Sequence, residues 1–508
     1  MDNLDIIFCT IPYSDLDYIY SAPAILKSVI TTNGYTCKTK DFGLVLLELC
    51  DRNEELFNRI QSYFLTYNDD LSKKEREILN TFYQKIIEYF RDNPSKYIGI
   101  TIFSIFTHKA TVELLTLIKQ SGINSKIIVG GRGAKVSIFM SAESVLKLSK
   151  LEKVLEFGDL LKKRKLTDYV VIGDGEDAIL DILRGNSLRE DYKNDTFDYP
   201  LPDYSDYEFN KYLWEGGKKQ FPITGSKGCV RDCDFCDVRF QFGRYKYRSG
   251  KDIAREMMYI SDTLGYRKFI FTDSLVNGGL KIIEEFCSII ADYNDANPEK
   301  SITWTGQYIC RLPSEMPERL YPLMARAGAQ GLTMGAESGS NHVLEAINKK
   351  TTVEAVYYEL SQFQKYGITC MLLTFLGHWA ETHEDFIKHC EMITKIVPFV
   401  RSGTISAVTL GHVAMILEGT PSTNLVAQGS ILVSDFNRSA IWFNKENPSN
   451  TYKERVLRRI IVHKLAKKLQ IQFVEEYQFL SVINSIVKKN YAEINDFYEQ
   501  CSRDIKSI

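Results

Sequence analysis

The chain has 508 residues, and at roughly 150 residues per domain this length predicts two to four domains. Lys and Arg total 63 against 65 Asp and Glu, a formal net charge of −2, so no basic excess points to bulk nucleic-acid binding. Hydrophobic residues make up 44% and charged residues 25% of the chain, which excludes a disordered, collagen-like or coiled-coil protein.

The first residues, MDNLDIIFCTIPYSD, lack the basic segment of a secretory signal, and no apolar run reaches the roughly 20 residues that a membrane span needs. We therefore expect a soluble cytoplasmic protein with no membrane partner. Eight of the eleven cysteines lie singly, mostly among apolar residues, and in a reducing compartment this predicts buried thiols. These eight are Cys9, Cys37, Cys50, Cys287, Cys310, Cys370, Cys390 and Cys501.

Residues 1–186 alternate short apolar strands with helical stretches, which favours an α/β domain with a parallel, doubly wound, Rossmann-like sheet. Two charged or Lys/Leu-rich stretches, Val45–Asn93 and Ile138–Leu166, interrupt this alternation as helical insertions. The predicted strands are Leu4–Thr10, Cys37–Asp41, Tyr97–Ser104, Lys126–Gly130 and Tyr169–Gly173.

Two predicted strands run into glycine-rich turns. Gly130, Gly131 and Gly133 follow one strand, and Gly173 stands three residues before Glu176 after the next. Such strand exits let backbone N–H groups approach a phosphate or a flat ligand, and open α/β sheets bind ligands at this edge. Each turn alone is also compatible with a simple tight turn.

Residues 187–220 carry no sustained period and are interpreted as a linker. Residues 221–425 resume strand–helix alternation in six units, which predicts a complete or partial α/β barrel, and residues 426–508 are predicted to form a C-terminal helical domain. The six barrel strands are Thr224–Gly228, Phe269–Ser274, Ile302–Tyr308, Gly331–Ser338, Cys370–Gly377 and Thr404–Val413.

The C-terminal segment is rich in basic residues, interpreted either as a phosphate-binding face or, the simpler reading, as a solvated helix surface. They are Lys453, Arg455, Arg458, Arg459, Lys464, Lys467 and Lys468.

Three cysteines, Cys229, Cys233 and Cys236, lie within eight residues directly after the first barrel strand. A zinc site would need four closed ligands, and the next histidine is distant, at His342. Buried thiols are disfavoured because the flanking residues are polar. Three thiolates on a four-iron cluster leave one iron open, and Phe235 adds an aromatic face beside it. At the carboxyl end of a barrel strand such a loop occupies the usual active-site position.

This Cys-x3-Cys-x2-Cys loop, with an aromatic before its last cysteine, resembles that of the radical S-adenosylmethionine (SAM) superfamily. The segments around Asp273 and Gly335-Ala336-Glu337-Ser338-Gly339 are similar to family strand-end motifs. The resemblance implies a partial TIM barrel, a 4Fe-4S cluster on the three cysteines, and SAM bound with help from Phe235, Asp273, Glu337 and Ser338. It implies reductive cleavage of SAM to a 5′-deoxyadenosyl radical that abstracts hydrogen.

One segment departs from the family pattern. His378 and Trp379 stand where relatives usually have Leu-Pro, and we interpret them as shaping a substrate or cofactor pocket. The alternative is that Trp379 packs in the core and that His378 is a surface histidine.

The N-terminal strands and both glycine turns resemble the cobalamin-binding domain that precedes many radical SAM enzymes. This resemblance implies cobalamin near Gly130, Gly131, Gly133, Gly173 and Glu176. The Asp-x-His-x-x-Gly motif of proteins that ligate cobalamin through histidine is absent.

The resemblance therefore implies a cobalamin-dependent methyltransferase acting on an unactivated carbon or phosphorus centre of a small molecule or peptide. A flavodoxin- or ferredoxin-type one-electron reductant is the implied partner, and no nucleic-acid partner is expected. The main alternative is a cobalamin-independent radical enzyme for oxidation, cyclisation or rearrangement, whose N-terminal domain binds substrate. A methylthio-transferring enzyme with a second cluster on Cys9, Cys37 and Cys50, and a non-enzymatic cobalamin or zinc sensor, are weaker alternatives.

Overall fold

The computed structural model describes residues 3–66, 70–138, 142, 145–149, 152, 155–189, 192, 198–213, 219–409, 413–417, 419–434, 440–474, 487–488 and 490–506. The chain divides into two compact units, Met1–Pro222 and Ile223–Ile508. Each unit is built around its own parallel sheets.

The first unit contains a five-stranded sheet in the order β2-β1-β3-β4-β5, and every neighbouring pair is parallel. The order reverses between β1 and β3, as in a doubly wound fold, and confirms the predicted fold class. Three of the five strands, β1, β2 and β4, match their predicted bounds. β1 and β4 are apolar runs, whereas β2 is a short polar strand that leads directly into a helix. The strands are β1 Leu4–Thr10, β2 Cys37–Asp41, β3 Ser95–Thr101, β4 Lys126–Gly130 and β5 Tyr169–Val171.

The first insertion is helical, as its sequence predicts. Its longest helix, Lys73–Asp92, begins with a capping box in which the Ser72 hydroxyl accepts from the Glu75 N–H and the Glu75 carboxylate accepts from the Ser72 N–H. In the second insertion the described residues include the helix Phe157–Lys163, while much of residues 139–154 lies outside the described ranges. The helices are Ala22–Thr32, Phe42–Leu49, Glu54–Tyr63, Lys73–Asp92, His108–Gln120, Phe157–Lys163 and Gly175–Arg184.

Part of the segment interpreted as a linker packs on the first unit. Lys27, almost fully buried, donates to the Asp206 carboxylate over 2.7 Å, and the Tyr212 hydroxyl donates to Asp41 over 3.0 Å. Residues 198–213 therefore lie along the carboxyl side of β2 rather than in solvent.

The second unit begins within β6 and forms the partial barrel in two parallel sheets, β10-β9-β6 and β11-β12-β13-β14-β17. Only Gly306 separates β10 from β11, so the two sheets share one interrupted strand. The first barrel strand ends at Ile223, before the predicted Thr224–Gly228, because Ser226–Lys227 pairs antiparallel with Lys246–Tyr247 on the far side of the cysteine loop. The strands are β6 Gln220–Ile223, β7 Ser226–Lys227, β8 Lys246–Tyr247, β9 Lys268–Phe271, β10 Thr303–Thr305, β11 Gln307–Ile309, β12 Leu332–Glu337, β13 Cys370–Thr374 and β14 Ile405–Thr409.

Helices alternate with these strands, and among the described residues none is long and apolar enough to cross a membrane. The helices of the barrel are Val238–Phe242, Gly250–Leu264, Leu280–Ala296, Leu320–Arg326, Asn341–Ala346, Val353–Tyr366, His383–Lys395 and Val397–Arg401.

The C-terminal region differs from the purely helical prediction. An antiparallel hairpin pairs β15 Ile431–Val433 with β16 Trp442–Asn444, and β17 Phe473–Val474 joins the barrel sheet beside β14. Strands of two or three residues are too short to show a period in the sequence. The described helices are Thr423–Ala427, Tyr452–Lys468 and Tyr491–Lys506.

Two basic residues of the helix Tyr452–Lys468 are not on a solvated or phosphate-binding face. Arg458 is 3% exposed and donates to the Glu381 carboxylate over 2.7 Å. Arg455 is fully buried, stacks 3.7 Å above the Trp442 ring and donates to the carbonyls of Asn450 and Ala440. The interpretation of these two arginines as a surface feature is therefore wrong, because their partners come from distant segments of the chain.

A buried carboxyl in the barrel wall gives a test of the fold. Glu359 accepts from the hydroxyls of Tyr308 and Tyr321 and from the Arg311 N–H. Burial raises the pKa of Glu359 to about 7, although these hydrogen bonds oppose the rise. Because the folded-state pKa lies above the usual value, the protonated form stabilises the fold at low pH, and this stabilisation is lost as pH rises through about 7.

We compare the free energy of unfolding of Glu359→Gln with that of wild type. Between pH 5 and pH 8 we expect the variant to become more stable relative to wild type by roughly 2 to 3 kcal/mol. Urea unfolding at both pH values measures it. The exposed Glu345→Gln is the matched control. A pH-independent difference for Glu359→Gln would show that this carboxyl is ionised throughout.

Candidate active site

The cysteine loop leaves β6 at the carboxyl edge of the barrel. Cys233 is buried and Cys229 and Cys236 are half-buried, so all three thiols lie at the barrel mouth with limited access to water. The Arg231 N–H donates to Cys229 Sγ over 3.4 Å. Gly228 begins the loop with φ +79°, and a Cβ there would lie 2.8 Å from the Arg244 carbonyl oxygen, so only glycine fits.

Burial raises the pKa of Cys233 to about 12, with Lys349 lowering it and Glu337 raising it further. Burial also raises the pKa of Cys236, although the Val238 N–H opposes this. These thiols hold their protons until a metal displaces them. No three His, Cys, Asp or Glu side chains in the described ranges are arranged around a single ion.

Residue Asp234 anchors the loop between its last two cysteines. Its N–H donates to the Ile347 carbonyl over 3.2 Å, and its own carbonyl accepts from the Ser422 N–H over 3.1 Å. The next residue, Phe235, packs against Phe375 with ring centroids 4.8 Å apart. Phe235 thus supports the loop from the β13 side.

Glu337 ends β12 in a left-handed conformation, φ +59°, directly at the barrel mouth. Its carboxylate receives the Lys349 ammonium at 2.5 Å, and both residues are under 10% exposed. Burial lowers the pKa of Lys349, but the Glu337 carboxylate more than offsets it, so the net shift is upward. Lys349 was not predicted from sequence. The only signal was its place in the segment that follows the Gly-Ala-Glu-Ser-Gly motif.

Two other candidates for SAM binding make internal contacts. Ser338 is buried, and its hydroxyl accepts from the Ser340 N–H over 3.2 Å. Asp273 accepts from the Gly225 N–H over 2.8 Å and from the Ser226 hydroxyl over 2.6 Å. Burial raises the pKa of Asp273 to about 7, although these hydrogen bonds oppose the rise. In this structure Asp273 fixes the exit of β6.

His378 and Trp379 both lie in the interior. His378 is fully buried, which overturns the alternative of a surface histidine, because its ring lies between Asp234 and Trp379. Trp379 is 5% exposed and packs in an apolar cluster with Ala414 and Trp442. The pair therefore connects the cysteine loop to the C-terminal hairpin.

The glycine turns of the first unit lie together at the carboxyl edges of β4 and β5. Gly131 has φ +103°, and a Cβ there would lie 2.7 Å from the Ile102 carbonyl oxygen. The Gly133 N–H donates to the same carbonyl over 2.8 Å, and its own carbonyl contacts His108 Nε2 at 2.8 Å. Gly130 pairs with Val171, the last residue of β5. Gly173, with φ +90°, follows two residues later, and Glu176 lies in the first turn of the next helix.

Residues 223–393 match the family model described as the Radical SAM superfamily. The chain therefore contains a radical SAM domain. This domain is the one that the cysteine loop resembles.

Among curated proteins, the chain is 25% identical over 254 residues to the anaerobic magnesium-protoporphyrin IX monomethyl ester cyclase of Synechocystis sp., covering 46% of this chain and 50% of the cyclase. It is 22% identical over 388 residues to a tRNA-2-methylthio-N(6)-dimethylallyladenosine synthase of Thermoanaerobacter sp., covering 72% of this chain and 76% of the synthase. The chain thus spans half the length of the cyclase.

Among solved structures, the fold is similar to the radical SAM methyltransferase TsrM from Kitasatospora setae, with a TM-score of 0.59 at 15% identity over 85% of this chain and 78% of that one. It is similar to the cobalamin-dependent radical SAM enzyme OxsB, with a TM-score of 0.59 at 13% identity over 84% of this chain and 61% of that one. At these identities the likeness concerns the fold alone.

Proposed function

We propose that the chain is a cobalamin-dependent radical SAM methyltransferase whose 4Fe-4S cluster is held by Cys229, Cys233 and Cys236. The observation that carries the proposal is the three-thiol loop at the barrel mouth beside the buried Glu337–Lys349 pair. The cluster, when bound, supplies one-electron reduction of SAM to a 5′-deoxyadenosyl radical.

The donor set fits this cluster. Three thiols leave one position open for SAM, and loop N–H groups from Arg231 and Val238 point at the sulfurs of Cys229 and Cys236. Glu337 would accept a hydrogen bond from the amino group of SAM, and Lys349, which contacts that carboxylate, would hold it in place. Ser338 and Phe235 complete this side of the site, and Asp273 supports it by fixing the strand exit. A flavodoxin- or ferredoxin-type protein supplies the electron.

The first unit offers the cobalamin site. Gly131 and Gly133 follow β4 at the carboxyl edge of the sheet and pack against Ile102, and Phe103, two residues after β3, is 59% exposed. Gly130, Gly173 and Glu176 border the same edge. A structure of TsrM is described with cobalamin and a [4Fe-4S] cluster bound, and one of OxsB with aqua-cobalamin and SAM. The methyl acceptor we propose is an unactivated carbon or phosphorus centre.

A cobalamin-independent ring-forming reaction is the second candidate, because the Synechocystis relative is named a cyclase. In that case the first unit would bind substrate.

Methylthio transfer has less support. The parallel register pairs Cys37 with Ile6, so Cys9 lies three residues further along, about 10 Å away. Cys50 ends a helix, and burial raises its pKa to about 11. A second cluster on these three cysteines is not supported.

Anaerobic purification with cobalamin supplied, followed by metal analysis, separates the candidates. We expect about four irons and about one cobalt per chain. We expect Gly131→Val to lose the cobalt while keeping the iron, because its side chain would occupy the space beside the Ile102 carbonyl. Iron without cobalt in the wild type would favour the cyclase-like alternative. Zinc alone, after anaerobic reconstitution, would contradict both.

A further inference from the structure

A buried histidine from the β13 exit loop meets the cysteine loop at one atom. His378 Nε2 lies 3.1 Å from Asp234 Oδ2, and the two residues are 144 positions apart in the chain. Asp234 stands between Cys233 and Phe235, two residues before Cys236, so it belongs to the loop whose three cysteines are proposed to bind the cluster.

The hydrogen bonds of the ring assign its proton. His378 Nδ1 accepts the Ala380 N–H over 3.2 Å, so this nitrogen carries no proton in the neutral ring. The N–H is therefore on Nε2 and donates to Asp234. Because the tautomer is fixed, His378 is the donor and the Asp234 carboxylate is the acceptor in this contact.

The surroundings hold the ring in this orientation. His378 is fully buried, and its ring centroid is 4.0 Å from that of Trp379. The Asn450 side-chain amide donates to the His378 carbonyl over 2.7 Å. With the backbone and the ring both fixed, the histidine cannot turn away without disrupting this packing.

The Asp234 charge is only partly compensated. Its side chain is 17% exposed, and Oδ1 is buried with no hydrogen-bond partner among the described residues. The nearby ammonium of Lys349 is engaged by Glu337. A negative charge in so shielded a position acts strongly on a neighbouring redox centre.

We propose that Asp234 is an electrostatic determinant that lowers the reduction potential of the cluster, and that His378 is the positioning residue that keeps its carboxylate there. The inference rests on the cluster assignment made under the proposed function. It concerns only the equilibrium between the oxidised and the reduced cluster, because the net charge around an iron–sulfur cluster sets its reduction potential. The negative carboxylate opposes the addition of an electron to the cluster. Removing the charge of Asp234 therefore makes reduction of the cluster easier.

The test is a potentiometric titration of the reconstituted full-length chain, followed by EPR, for Asp234→Asn, His378→Leu, His378→Gln and the double variant Asp234→Asn/His378→Leu. Asp232→Asn is the matched control. It makes the same charge change on the other side of Cys233, but its side chain is 54% exposed. Iron content is measured for every protein.

We expect Asp234→Asn to raise the ratio of reduced to oxidised cluster at least tenfold at a fixed potential, a shift of about 59 mV for one electron. Asp232→Asn is expected to change the ratio of reduced to oxidised cluster less than about twofold, because water screens the exposed charge. His378→Leu is expected to shift in the same direction as Asp234→Asn, because the carboxylate is free to turn outward. His378→Gln, which keeps an N–H donor, is expected to stay near wild type.

Because both changes remove the same charge from the same place, we expect the double variant to match Asp234→Asn. Unchanged potentials in Asp234→Asn and His378→Leu, or shifts that simply add, would overturn the inference even though the cluster is present. A wild-type chain that assembles no iron–sulfur cluster would instead overturn the proposed function, and the inference with it.

Discussion

Cys233→Ala is expected to abolish cluster assembly and to reduce SAM cleavage by more than about a hundredfold, because two thiolates cannot replace the three that hold the four irons. The fold is expected to survive, since alanine fills most of the buried Cys233 position and the backbone contacts of the loop do not involve its sulfur. Iron analysis and the yield of 5′-deoxyadenosine measure the first effect, and circular dichroism measures the second.

The matched control is Cys390→Ala, a half-buried cysteine on the helix His383–Lys395 outside the loop. It is expected to keep wild-type iron content and cleavage. If Cys233→Ala retained full cleavage, the assignment of the loop as cluster ligand would be wrong.

Lys349→Met is expected to lower the free energy of unfolding by about 3 to 5 kcal/mol, because it leaves the Glu337 carboxylate buried without its counter-ion. It is also expected to weaken SAM binding roughly 10- to 100-fold, since Glu337 loses the partner that orients it. Urea unfolding and equilibrium binding of SAM to the reconstituted chain measure the two effects.

The double variant Glu337→Gln/Lys349→Met distinguishes the cost of an unpaired buried charge from the loss of SAM binding. It is expected to recover most of the lost stability, because no unpaired charge remains, but not the binding of SAM. Lys350→Met, at the exposed neighbouring position, is expected to match wild type in both measurements. A single Lys349→Met variant as stable as wild type would show that the buried pair does not form.

Much of the fold was predictable because it depends on local pattern. β1 and β4 are apolar runs, and their bounds agree with the sequence prediction, as do those of the more polar strand β2. The first barrel strand was misplaced because Thr224–Gly228 is small and polar and forms a strand exit. The buried arginines Arg455 and Arg458 were misread because a basic helix reveals its partners, Trp442 and Glu381, only in three dimensions.

The site divides in the same way. The cysteine spacing predicts a cluster on Cys229, Cys233 and Cys236, and the motif predicts a site role for Glu337; both stay predictions. The contacts of Lys349 and His378 were not predictable, because each is made with a residue distant in the sequence, Glu337 and Asp234. A role of Asp273 in SAM binding stays a prediction; in the structure its carboxylate accepts hydrogen bonds from Gly225 and Ser226.

The most direct test of a radical SAM centre on Cys229, Cys233 and Cys236 is the EPR spectrum of the reduced, reconstituted chain with and without SAM. Three protein thiolates leave one iron open, so we expect a 4Fe-4S signal that changes when SAM is added. A signal that SAM leaves unaltered, or the absence of any iron–sulfur signal from fully reconstituted protein, would contradict it.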